Sequence, residues 1–291
     1  MLEFIITLFN TKIFKLLMVG RDMEKIGIER VGKDGWVFVW PRGEEREKAS
    51  DIFFEGLEYL DVGENGKARK LFEKALEIFP EHIDVLHHLA IISSKAKSKE
   101  LIGFAMKIGS EVISGKLKEG DKLEWGWTEN RPFLRAYHFK GLNLLDAGKI
   151  EEATKIFKQI ILWNPNDNQG VRSILADIYA KGKRWDELLL LCEKYQGDSD
   201  PSISYGYVLG LFKKGEKERA TEQLKKCMWN LPLCGKILLK KNPKKPKPGM
   251  QGYVTYADED LAYEFWEGQK EAWQDEDVLK WLGRNIGKKA R

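Results

Sequence analysis

The chain has 291 residues and a mass of 33.6 kDa. Hydrophobic residues make up 43% and charged residues 32%, enough for a core and too apolar for wholesale disorder. Forty-nine Lys and Arg against 45 Asp and Glu leave a formal net charge of +4, so the chain as a whole is no polyanion binder and any basic function is confined to a patch.

The first 22 residues, MLEFIITLFNTKIFKLLMVGRD, carry Glu3 early and are broken by Lys12 and Lys15. A signal peptide needs an apolar run of roughly 7–15 residues, and a membrane span about 20. Neither fits, and translation is expected to begin at Met23. The competing expectation is an amphipathic helix lying on a membrane or partner surface. Residues 23–44 follow as a β-hairpin cap. In IGIERVGKDGWVFVW, alternating apolar residues flank Asp34-Gly35, a strong hairpin signal, and Pro41 closes the second strand. Trp36, Phe38 and Trp40 are expected to pack on the first helices.

Residues 45–235 carry a repeat of about 34 residues. In 49–82, Gly56, Tyr59, Gly63, Ala68, Phe72, Ala75 and Pro80 keep fixed offsets. In 134–167 the matching residues are Tyr137, Gly141, Gly148, Ala153, Phe157 and Pro165. In 201–234 they are Gly215, Ala220, Leu224, Cys227 and Pro232. Degenerate copies occupy 83–116 and 168–200, and an insertion spans 117–133. Gly56 and Ala68 let two helices approach closely, and Phe72 and Phe157 are expected between one pair and the next. Gly63, Gly148 and Gly215 suit a left-handed helix end, and the prolines stop the second helices.

This pattern resembles the tetratricopeptide repeat (TPR) family. The resemblance implies an all-α solenoid of about five helix pairs behind the small hairpin, since one pair cannot bury its apolar face alone. Arg131-Pro132-Phe133-Leu134-Arg135 and the junction NPNDNQGVR (164–172) further resemble a bacterial and archaeal subgroup with an R-P-[FY]-x-R segment. The junction's Asn and Asp residues suit helix caps. The sharper alternative pairs Asp167 with Arg131 or Arg135 as a clasp on the insertion.

The TPR resemblance implies a concave groove lined by the first helices. Its fifth positions are Phe53, His87, His138, Arg172 and Tyr205, and its second positions include Asp84 and Arg135. The expected partner-binding groove is thus Phe53, His87, Arg135, His138, Arg172 and Tyr205. Arg135 and Arg172 are suited to gripping a carboxylate bidentately. Phe53 and Leu57 replace the Lys and Asn with which chaperone-binding relatives hold a C-terminal carboxylate.

Cys192, Cys227 and Cys234 form no CxxC pair, which excludes a thiolate zinc site and suits a reducing, cytoplasmic setting. His87 and His88 are adjacent, so they point about 100° apart on a helix and are not expected to share a ligand. No G-x-S-x-G, P-loop or G-x-G-x-x-G occurs. No enzyme, cofactor or metal is expected.

Residues 236–256 form a Lys/Pro-rich linker. Lys236, Lys240, Lys241, Lys244, Lys245 and Lys247 are candidate polyanion contacts, although no aromatic interleaves them. Residues 257–291 read as two helices, 257–272 and 276–286, that cap the solenoid or fold back to block the groove. The expected function is a non-catalytic scaffold binding a peptide or protein segment. The alternative is a nucleic-acid-associated factor using the linker. A membrane partner is not expected.

Overall fold

The computed structural model describes residues 25–246 and 259–286. The expectations for residues 1–22, and Lys247, lie outside them. Strand β1 (Gly27–Val31) pairs antiparallel with β2 (Gly35–Val39), with Ile28 opposite Phe38. Thirteen α-helices follow among the described residues. The pairs are α1 (Glu44–Asp61) with α2 (Asn65–Ile78), α3 (Ile83–Ile91) with α4 (Lys95–Ile113), and α5 (Arg131–Asp146) with α6 (Ile150–Trp163). Then come α7 (Val171–Lys181) with α8 (Trp185–Lys194), and α9 (Pro201–Lys213) with α10 (Lys217–Asn230). The chain ends in α11 (Pro232–Leu238), α12 (Glu259–Trp273) and α13 (Glu276–Ile286). The fold is all-α, of TPR-solenoid type, with one small N-terminal hairpin. Two compact units divide it, one ending at Asn168 and the other starting at Gln169.

Local sequence explains the pairs. Gly63, Gly148 and Gly215 take φ of +77°, +71° and +85° just past α1, α5 and α9, where an L side chain would be strained. A Cβ on Gly56 would stand 2.5 Å from the Phe72 ring, and one on Gly141 equally close to Phe157. Each phenylalanine packs on the glycine of its own pair, and Phe72 also reaches the next pair at His88, 6.2 Å between ring centres. A further contact between pairs is tighter: a Cβ on Gly109 of α4 would lie 2.1 Å from Phe133 of α5.

The hairpin departs from expectation twice. Its turn is Gly32-Lys33-Asp34, with Gly32 left-handed at φ +63° and Gly35 already in the strand opposite Val31. Its hydrogen-bonding partner is the insertion, about 85–95 residues onward, while Arg46 of α1 lies over Trp40 at 5.9 Å. Trp36 N–H donates to Lys122 O (2.9 Å) and Lys122 N–H to Asp34 O (2.7 Å). Trp36 Nε1 donates to Asp121, and Trp40 Nε1 to Glu129 O. Phe38 packs on Phe133 at 5.3 Å between ring centres. Buried Asn130 completes the joint. It accepts from Phe38 N–H (3.0 Å) and donates to Trp36 O (2.9 Å) and Glu124 O (3.1 Å). A two-stranded hairpin is marginal alone; this one is held by a third segment.

Lys236 also departs from the linker assignment. Pro232 opens α11, as its fixed φ suits a first helical position, and Ile237 and Leu238 are buried. Lys240, Lys241, Lys244 and Lys245 follow that helix.

Candidate functional site

In the N-terminal unit, the first-helix face is built from α1, α3 and α5. Phe53 is buried and packs edge-on against His88 at 5.1 Å. Asp84 is buried and held by Arg135, whose Nε donates to Oδ1 (3.0 Å) and Nη2 to Oδ2 (2.5 Å). The bidentate grip expected of Arg135 is thus realised within the chain. Arg135 also lies over Trp125 at 5.7 Å from the ring centre. Arg131 donates to Trp125 O, and Asn164 Oδ1 accepts from Trp125 N–H. These bonds and Asn130 hold the insertion, because the asparagine amides satisfy backbone groups that it would otherwise leave unpaired.

His87 is only 7% exposed, and burial pushes its imidazole pKa down to about 3. His82 is pushed down to about 4 for the same reason. His138 is half-buried with a lowered pKa, and its Nε2 is buried without a hydrogen-bond partner. His87 and His88 do meet, with their Nδ1 atoms 3.4 Å apart.

The C-terminal unit treats the corresponding face differently. Arg172 pairs with Asp198 and lies 5.6 Å from the Tyr195 ring. Tyr205 is fully buried, and its hydroxyl donates to Leu231 O (2.8 Å). Helix α12 packs on α7 and α9, the first helices of this unit, and on α11. Phe265 meets Tyr205 at 5.4 Å and Trp273 meets it at 6.4 Å. Gln269 donates to Asp177 Oδ1 (3.0 Å) and Ser202 O (3.1 Å) and accepts from Trp273 Nε1 (3.2 Å). A Cβ on Gly268 would stand 2.5 Å from Asp177 Oδ2, so the helix sits as close as glycine permits. Burial pushes the Asp177 carboxyl up to about 6, opposed by the Gln269 and Ser202 hydrogen bonds.

The expected groove residues are therefore not presented together as contacts. Phe53, His87 and Tyr205 are buried, whereas His138 and Arg172 at the same repeat position are half-buried. Arg135 and Arg172 already hold acids of this chain. Helix α12, expected at 257–272, adds what the sequence left open, its seat on Tyr205 and Asp177. Its buried stripe, Phe265, Gln269 and Trp273, recurs every four residues, with a polar amide at its centre that requires a buried partner.

The remaining candidates sort readily. Lys240, Lys241, Lys244 and Lys245 are exposed, as is Lys236 on α11. A cavity of about 360 Å³ is lined by Tyr195, Tyr207, Arg219, Gln223 and Lys226. Its Arg219 is committed to the Tyr207 hydroxyl (2.8 Å) and to Glu216. The three cysteines are buried, and burial pushes Cys227 and Cys234 up to about 12, away from reactive thiolate. Among the described residues no helix is long and apolar enough to cross a membrane.

A family model described as "Transcriptional repressor TCF25" matches residues 57–291. The chain belongs to the TCF25 family. The TCF25 match takes in the RPFLR segment, the NPNDNQGVR junction and both C-terminal helices. Solved TPR structures resemble this TCF25-family chain more distantly. YrrB, described as a TPR protein with an unusual peptide-binding site, is 16% identical, covering 65% of this chain and 93% of its own at a TM-score of 0.42. The MamA protein is 17% identical, covering 69% and 100% at 0.44. A tetratricopeptide repeat protein from Parabacteroides merdae is 14% identical, covering 84% and 100% at 0.33. No curated protein matches the sequence.

Proposed function

We propose that this TCF25-family chain is a non-catalytic scaffold whose first-helix faces hold protein segments, and that it holds them as helices. The observation that carries this is α12 on α7 and α9, with Phe265 and Trp273 closing over Tyr205. A helix laid by its apolar stripe on a helix-lined face is a recurring mode of peptide recognition. The chain's own α12 serves as the pattern for a partner: two aromatics eight residues apart, with a buried amide between them. The buried cysteines are held as thiols.

A second reading follows the family description as a transcriptional repressor. The exposed Lys240, Lys241, Lys244 and Lys245 offer phosphate contacts, and such binding falls steeply with salt. Capture of the tagged protein from its own lysate, split into nuclease-treated and untreated halves, separates the two. A discrete protein retained after nuclease, and captured more strongly by Phe265→Asp, supports the scaffold. Loss of all bound material with nuclease moves the function to the lysines.

A further inference from the structure

Asp84, His87 and His88 stand at i, i+3 and i+4 on α3. Both histidines lie one turn after the aspartate, one on each side of its row. Helical side chains lean toward the N-terminus, so both rings reach back toward one carboxylate. The angle of about 100° between adjacent positions separates two histidines taken alone. It also makes them flank a residue one turn earlier.

The distances follow. His87 Nδ1 is 3.4 Å from His88 Nδ1, and His88 Nδ1 is 3.6 Å from Asp84 Oδ1. One donor atom from each residue lies within 4.8 Å of the others. In a tetrahedral site with metal–ligand bonds of about 2.0–2.1 Å, neighbouring donors stand roughly 3.3–3.4 Å apart. We propose that Asp84, His87 and His88 bind a divalent transition ion of the zinc class, with a fourth position left for a further ligand.

The surroundings suit this. Two imidazoles favour zinc, cobalt, nickel or copper over magnesium or calcium. Arg135 fixes the Asp84 carboxylate with two hydrogen bonds. Each carboxylate oxygen has two acceptor sites, so the guanidinium and an ion share it, and such outer partners orient metal ligands. The His87 ring packs edge-on against Phe139 at 5.5 Å, and His88 against Phe53. His88 Nδ1 lies 2.8 Å from Asp84 O. Ligation through that nitrogen takes the tautomer with the proton on Nε2, and the hydrogen bond to Asp84 O is given up. A dication beside Arg135 exceeds the charge of one carboxylate, which favours an anionic fourth ligand such as hydroxide or a partner's carboxylate.

The test is a cobalt(II) titration of the full-length, chelator-stripped protein, carrying no histidine tag, followed by visible absorption. The expected result is d–d bands that saturate at one equivalent and disappear on adding zinc. His88→Gln should weaken binding at least tenfold with unchanged far-UV circular dichroism. X-ray absorption on the unaltered cobalt complex is the second measurement, independent of any variant's folding. A shell with two imidazole nitrogens supports the site. Absent bands, bands undiminished in a folded His88→Gln, or a sulfur or all-oxygen shell would overturn it.

Discussion

In the N-terminal unit the first-helix face is laced by polar groups, Asp84 with Arg135 and His87 with His88, and Trp125 of the insertion lies against the arginine. In the C-terminal unit Tyr205, at the fifth repeat position, is roofed by Phe265 and Trp273 of α12. The repeat fixes where the side chains stand, and their chemistry fixes what the face needs. A polar lattice satisfies itself. An apolar face built on Tyr205 needs a cover, and here the chain supplies one.

The strongest way to break the contrast is Trp273→Ala. It removes a fully buried ring and should cost about 3–5 kcal/mol, read by denaturant unfolding. Faster amide exchange should be confined to the C-terminal unit.

Acidification should push the two units in opposite directions in metal-free protein. His82 and His87 have folded pKa values below their ordinary 6.5. As pH falls from 7 to 5 the unfolded histidines take up protons that the folded ones refuse, so stability is lost, by about 2 kcal/mol each. His82 faces Asp84, Arg46 and His88; His87 faces His88, Asp84, Arg135 and His138. Asp177 is raised to about 6 from 3.8. Its charge burdens the fold above that value, so the C-terminal unit gains stability over the same fall, by about 1 kcal/mol. Amide exchange at the two pH values, corrected for intrinsic rates, should show α3 loosening while α7 tightens.

Asn130→Ala should cost about 2 kcal/mol, since it strands buried Phe38 N–H and two carbonyls. Nuclear magnetic resonance should show β1 and β2 fraying while α7 to α13 keep their spectra. The smallest effect belongs to Asp177→Asn. An amide keeps a donor and an acceptor in place and removes the buried charge, so stability at pH 7 should rise by about 1 kcal/mol, while the acid response of the C-terminal unit should flatten.

The helix pairs were legible because Gly56, Phe72 and Pro80 keep one offset from repeat to repeat, and close packing needs those residue types there. The hairpin's partner was not. Its contact with Asn130 spans some ninety residues and leaves no local period. The polar cluster was half legible: the adjacent histidines were visible, but their meaning lay in Asp84, three and four residues earlier. In α12 the buried stripe was visible as apolar bulk, while Gln269 within it was the sign that the stripe met a buried acid. Which face it would cover depended on Tyr205 and Asp177, far away in sequence.

The most direct measurement is the binding of a labelled peptide of residues 259–286 to two full-length proteins, the unaltered chain and Phe265→Asp, with both folds checked by circular dichroism. Binding to the variant, whose own α12 is loosened, with little to the unaltered chain, is the result expected if the α7–α9 face receives helices. Binding to neither, or to both alike, would contradict it.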